Sequence, residues 1–297
     1  MSNCTSNNNC NNKNNITIGI IGGSGVYKVD GIKVVKHHEV KTPYGNPSGA
    51  ISELTMERNG RSYTFCFLPR HGVGHTISPS EINYRANIFA LKKMGVKYLV
   101  SVSAVGSLKE ELPPKMFVLP SQFVDWTKGK RERSFFGDGM VGHVSAANPI
   151  ELGLQRQIAD TCKKVGIDHS VGGAYICIEG PQFSSKAESN IYRSFGMSVI
   201  GMTNIPEAYL AKEAGMAYAT VAMVTDYDCW KEEHCTVEEI MKVVDSNTKS
   251  IQKLILELIP EMSTNPISFT QENMNVVMTS KEKLNQRHLE IINVLTN

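Results

Sequence analysis

Ile16-Thr17-Ile18-Gly19-Ile20-Ile21 runs without interruption into Gly22-Gly23-Ser24-Gly25. A short apolar run ending on clustered glycines reads as a buried strand entering a turn. The chain downstream keeps supplying strands and helices in alternation. Ser52 to Glu57 and Ser62 to Leu68 read as a hairpin around Arg58-Asn59-Gly60, since Asn-Gly supplies the positive φ that such turns require. Ser80 to Met94 has a helical pattern closing on Gly95, and Tyr98 to Ser103 is an apolar run of strand length. A helix feeding a strand implies a crossover connection.

Leu154, Ile158, Cys162 and Val165 form one stripe, predicting a helix with Asn148 as N-cap, Pro149 at its first position and Gly166 past its end. Strands are expected at Gly173 to Ile178, Ser198 to Gly201 and Ala217 to Thr225, with helices starting near Ser185 and Ile205 between them. A last long helix is expected from Thr236, boxed by Glu239 and ending before Pro260. Past Glu261 the pattern weakens, apart from Val276-Val277-Met278 and a short helical pattern near Leu284 to Leu295. These elements predict an α/β fold in a single domain, residues 16–260. A disordered Asn-rich leader (1–15) precedes it, and an extension (261–297) packs on the domain or on a neighbouring subunit.

Lys and Arg number 31 against 29 Asp and Glu, a formal charge of +2 with no block of like charges. That balance argues against a nucleic-acid partner. Every apolar run falls well short of the roughly 20 residues a bilayer needs, so no membrane association is expected. Seven cysteines without framework spacing point to a reducing compartment, the cytoplasm or the nucleus. The leader offers no apolar segment for a secretory signal.

Six stretches carry residue types suited to chemistry. In Gly22-Gly23-Ser24-Gly25 the backbone N–H groups can converge on an anion while Ser24 adds a hydroxyl, although an ordinary tight turn accounts for it as readily. Arg70-His71-Gly72 offers a guanidinium fork matched to phosphate oxygens, or is simply a surface loop. Ser103-Ala104-Val105-Gly106-Ser107 follows an apolar strand, at the carboxyl end where α/β proteins bind ligands. Glu179-Gly180-Pro181-Gln182-Phe183-Ser184-Ser185 presents an aromatic ring, then a serine that with Glu188 makes a capping box. Gly201-Met202-Thr203-Asn204-Ile205-Pro206-Glu207 is another strand end entering a helix, where Thr203 can donate to an anion. Thr225-Asp226-Tyr227-Asp228-Cys229-Trp230 ends a strand, and carboxylates at i and i+2 share one side of it. Buried together, two such groups resist ionising both, so one keeps a proton and becomes a donor.

In this order the six stretches strongly resemble the trimeric purine nucleoside phosphorylases, over about Ile16 to Pro260. The resemblance implies a twisted mixed β-sheet, partly barrel-like, surrounded by α-helices, and a homotrimer. It implies inorganic phosphate as co-substrate, with no metal and no organic cofactor. Phosphate would be held by Ser24, Arg70, His71, Ser103, Ala104 and Thr203, with Met202 against the sugar. Phe183 would cover the ribose or base, Ser184 would support the adenine edge, and His143 would reach a neighbour's 5' pocket. Asp226, protonated and paired with Asp228, would donate to N7 and accept from a 6-amino group. Val237, Ile240 and Met241 share a helix face by spacing and would wall an apolar 5' substituent, or simply pack in the core.

The activity implied is phosphorolysis of 5'-methylthioadenosine; the alternatives are a 6-oxopurine nucleoside as substrate and a non-catalytic nucleoside-binding protein. A metal hydrolase built on Cys229, His234 and Cys235 lacks paired ligands for a tetrahedral site.

Overall fold

The computed structural model describes residues 16–23, 25, 29–231 and 237–297, with backbone alone for 237, 239 and 240. The leader, Ser24, His234, Cys235 and the Thr236 cap lie outside the described residues. Strand β1 (Ile18–Gly22) is buried throughout and lies parallel to β4 (Arg61–Pro69) and β5 (Tyr98–Ser107). A strand covered on both faces needs no polar alternation, hence the unbroken apolar reading. β3 (Ile51–Arg58) and β4 form the expected hairpin, with φ of 51° at Asn59 and 72° at Gly60. β2 (Ile32–His38), mostly exposed and without a strong apolar signal, adds antiparallel to β3 as an edge strand.

The site depends on β5. β11 (Ala217–Asp226) runs parallel to it from Tyr98 to Gly106, whereas β1 accompanies it only as far as Ser101. β10 (Val199–Gly201) meets it antiparallel at Gly106 and Ser107. Val102 to Val105 therefore pair with β11 but with neither β1 nor β10, and the sheet forks there. β9 (Ala174–Ile178) and β7 (Gln122–Trp126) continue beyond β10, while β6 (Phe117–Leu119) joins β11 and β8 (His169–Val171) joins β6. The eleven-stranded sheet is mixed and branched. It does not close, which corrects the partly barrel-like expectation: the path from β2 to β7 ends in two edges.

Six α-helices flank the sheet among the described residues. α1 (Tyr84–Lys93) begins four residues after the expected Ser80, because Asn83 is the residue whose side chain accepts from Ala86 N, at 3.1 Å. α2 (Leu152–Val165) is capped by Glu151 rather than Asn148, and it closes on Gly166 at φ 69°. α3 (Lys186–Ser194) carries the expected Ser185–Glu188 capping box, and α4 (Asn204–Glu213) follows β10. α5 (Val237–Thr264) does not stop before Pro260. Proline removes the donor for the carbonyl four residues back, and Arg58 Nη1 supplies a replacement to Leu256 O at 3.4 Å. α6 (Gln286–Thr296) lies in the extension, and its Ile291 and Leu295 enter the same core as Phe65, Phe89 and Leu254. No helix among the described residues is long and apolar enough to cross a membrane.

Candidate active site

The fork in β5 opens onto a cavity of about 620 Å³. Its floor is Val102, Ser103, Ala104, Val105 and Gly106, and its walls come from the ends of β1, β4, β9, β10 and β11 and from α5. Arg70, His71, Ser103, Ala104, Phe183, Ser184, Met202, Thr203, Asp226 and Asp228 all line it, brought from five separate stretches of sequence. The Ser103 stretch is part of β5 itself and not a loop after it, since β11 pairs with it to Gly106.

At one end stands Arg70, 2% exposed. Its Nε and Nη2 donate to the two Glu207 oxygens at 2.6 and 3.0 Å, and Nη1 donates to Val102 O at 2.9 Å. Ser101 Oγ also accepts from Nη2, at 2.7 Å. Burial opposes the guanidinium charge, but the Glu207 carboxylate outweighs it and raises the Arg70 pKa. A guanidinium has five N–H groups, and one on Nη1 is left without a partner among the described residues. Glu207 Oε1 is fixed in turn by Ser101 Oγ and Tyr218 OH, at 2.7 and 2.9 Å. The fork is thus aimed by a buried polar network beneath the cavity. Ser103 Oγ and Thr203 Oγ1 stand 3.4 Å apart at the same end, and the Thr203 hydroxyl makes no capping bond to α4 although it occupies the N-cap position. His71 completes the set, its Nδ1 donating to Ile77 O at 2.9 Å.

At the other end lie Asp226 and Asp228. Their arrangement differs from a strand repeat: β11 stops at Asp226, and Asp228 turns back at φ 53° so that its N–H donates to Asp226 Oδ1 at 2.7 Å. Thr225 Oγ1 donates to Asp226 Oδ2, also at 2.7 Å. Asp226 Oδ1 is therefore held as an acceptor, while Oδ2 shares the Thr225 hydroxyl with Val105 O, 3.1 Å from Thr225 Oγ1. Burial, followed by the charge of Asp226, raises the Asp228 pKa. Ser184 Oγ is buried with no partner among the described residues, whereas Phe183 is 85% exposed at the mouth.

Not every expected residue is here. His143 is exposed and away from the lining, on a segment that pairs with the extension through Gly142 and Val277. Met241 is 61% exposed and also outside the lining, while the side chains of Val237 and Ile240 lie outside the described residues. Among the described residues the helix contributes Val244 and Thr248. Asn247 Nδ2, donating to Val224 O at 2.9 Å, holds that part of α5 against β11.

Arg131 was also missed. It sits in a polar run that reads as a surface loop, yet its side chain is 0% exposed. Its guanidinium donates to Met202 O and Ile205 O, at 2.7 and 2.6 Å, and to Glu179 O and Glu179 Oε1, at 2.8 and 3.0 Å. It therefore ties together the two segments that carry Met202 with Thr203 and Phe183 with Ser184.

The model of the phosphorylase superfamily matches residues 17–260. The S-methyl-5'-thioadenosine phosphorylase of Rhodospirillum rubrum is 48% identical over 84% of this chain and 84% of its own length. That of Bradyrhizobium diazoefficiens is 51% identical over 81% of this chain and 82% of its own. Among solved structures, a methylthioadenosine phosphorylase from an Antarctic soil metagenomic library superposes with a TM-score of 0.87 at 41% identity, covering 95% of this chain and 99% of that one. The methylthioadenosine phosphorylase of Schistosoma mansoni in complex with tubercidin superposes at 0.76 with 34% identity, covering 84% and 92%.

Proposed function

The chain belongs to the phosphorylase superfamily, and from that premise we propose that it splits 5'-methylthioadenosine with inorganic phosphate into adenine and 5-methylthioribose 1-phosphate. One observation carries the reading: a single cavity has a guanidinium with two hydroxyls at one end and a half-buried carboxyl pair at the other. Breaking the C1'–N9 bond builds positive charge on the sugar and negative charge on the leaving base, as in other glycosidic cleavages. Phosphate bound by Arg70, His71, Ser103, Ala104, Thr203 and Ser24 lies under the sugar, where its charge stabilises the cation and its oxygen captures C1'. Met202 lies against the ribose.

The Asp226–Asp228 pair delivers a proton to N7 and accepts from the 6-amino group, with Ser184 on the base edge and Phe183 over its face. Burial raises the Asp228 pKa, which favours a pair that holds one proton between its two carboxyls. A 6-oxo base would meet an acceptor with its own acceptor, a mismatch of the kind that polar sites reject strongly. Val244 with Val237 and Ile240 offers the methylthio group an apolar wall.

The enzyme acts as a homotrimer, and His143, exposed and outside the lining of its own chain's cavity, serves the 5' pocket of a neighbour. It works in the cytoplasm, with the nucleus as a second seat, and its products feed methionine and purine salvage. No metal or organic cofactor takes part. The test is adenine release from 5'-methylthioadenosine with and without phosphate, beside inosine. Release that requires phosphate and exceeds that from inosine supports the reading, and release without phosphate, or a preference for inosine, overturns it.

A further inference from the structure

A second cavity, of about 370 Å³, lies between the end of α1, the link from α1 to β5 and the end of α6, and Lys92, Lys93, Lys97, Asn293 and Asn297 supply its polar lining. It stands at the opposite edge of the sheet from the catalytic cavity. Lys97 N donates to Thr17 O and Lys97 O accepts from Ala217 N, both at 2.8 Å, where β1, β5 and β11 begin. The catalytic cavity takes the carboxyl ends of the same three strands. Lys92 is 5% exposed, and its Nζ is buried without a hydrogen-bond partner among the described residues. Neither Lys92 nor Lys97 forms an ion pair among the described residues, and Lys93 has a single exposed contact, Glu290 Oε1 at 3.9 Å. Burial, then the charge of Lys97, lowers the Lys92 pKa to about 8. Cations near the end of a helix are ordinary, since they offset its dipole. A buried ammonium without an acceptor is not, because removing it from water costs free energy that nothing returns.

We propose that this cavity is a second anion site, which takes a phosphate group, free or carried by a small organic ester, on Lys92, Lys93 and Lys97. The inference stands apart from the function proposed above, since the two cavities share no residue. A carboxylate offers two oxygens and offsets one of the three ammoniums. A phosphate dianion offsets two and has oxygens enough to reach all three, and lysine binds phosphate as a compact point charge. Asn293 and Asn297, exposed beside the lysines, add amide donors. The volume is in the range of small-molecule sites, about 300 to 1,000 Å³, which leaves room for the organic part of an ester.

The test titrates glycerol 3-phosphate and, separately, inorganic phosphate into the full chain, following the amide NMR signals of Gly95, Lys97 and Asn293. These report on the second cavity whether or not phosphate also enters the catalytic one. Saturable shifts with glycerol 3-phosphate assign the ester, and shifts with inorganic phosphate alone assign the free ion; either supports the proposal. Lys92→Met, which replaces the buried ammonium with an apolar chain, and Lys97→Gln should each weaken that binding by about tenfold or more. Turnover of 5'-methylthioadenosine should stay at the native level in both. Lys97 is exposed, so its variant keeps the test independent of whether Lys92→Met folds. Succinate, a dianion without phosphate, should saturate at least about tenfold more weakly than the phosphate probe that binds. The absence of saturable shifts with either phosphate probe, or binding undiminished by Lys97→Gln, overturns the site, and succinate binding as tightly overturns its ligand class.

Discussion

The main-chain N–H of Asp228 donates to Oδ1 of Asp226 at 2.7 Å, so the second residue of the carboxyl pair holds the first in place through its own backbone. Asp226→Asn removes an ionisable carboxyl from the pair while the fold can keep its bonds, with Oδ1 accepting from Asp228 N and the amide facing Thr225 Oγ1, whose hydroxyl also reaches Val105 O. We expect turnover of 5'-methylthioadenosine to fall by about 10²-fold or more, the usual scale for loss of proton-transfer catalysis. Steady-state kinetics on folded protein checks this, and unchanged kinetics would remove Asp226 from the mechanism.

Arg70 and Glu207 are buried to 2% and 0% exposure at the side chain. Arg70→Met would strand the Glu207 carboxylate without its counter-ion, and we expect a stability loss of about 3 to 5 kcal/mol together with loss of phosphate saturation. The double change Arg70→Met with Glu207→Leu should recover much of the stability and none of the phosphate dependence. Urea midpoints with phosphate titrations separate the two effects.

Gly106 lies where the carboxyl pair meets β5: a Cβ there would stand 3.3 Å from Asp226 Oδ1 and Asp228 Cβ, and 3.1 Å from Ile200 Cγ2. Its φ is not in the left-handed region, so alanine strains the site and not the backbone. We expect Gly106→Ala to fold normally and to lose on the order of tenfold in kcat/KM by displacing the pair. Native-like melting with impaired kinetics is the expected combination; full activity would show that the pair tolerates movement.

Glu213, at the end of α4, accepts from Ser134 Oγ and Phe135 N, both at 2.7 Å. Burial raises its pKa from 4.5 to about 7. The folded state therefore holds this proton more tightly than the unfolded one, so its stabilising effect is complete below pH 4.5 and is lost as pH rises through about 7. Over that interval native protein should lose about 2 to 3 kcal/mol relative to Glu213→Gln. Parallel denaturation series at pH 4.5 and pH 8 would show it, and parallel stability curves would refute it.

The elements legible in the sequence were those whose evidence is local. The Asn59-Gly60 turn, the Gly166 stop and the Ser185–Glu188 box each follow from a few neighbouring residues. The ten cavity residues named from motifs also meet in space. What escaped depends on partners far along the chain. α5 passes Pro260 because Arg58, 198 residues before Leu256, caps the orphaned carbonyl. Arg131 reads as a surface cation until Met202, Ile205 and Glu179 close around it. Asp228 left the expected strand face because a side chain–main chain bond to Asp226 turned the chain. Val244 and Thr248 lie one to two turns past Met241 on the same helix, and Asn247 reaching Val224 O sets that part of the helix beside the cavity.

Because the cavity floor is a stretch of the strand from which both branches of the sheet diverge, the site has no hinge of its own along that floor. Slow amide exchange at Val102 to Val105 should therefore track global unfolding, not a local opening. Ligands held there should lend their binding free energy to the whole molecule, so that saturating phosphate and nucleoside raise a single cooperative melting transition.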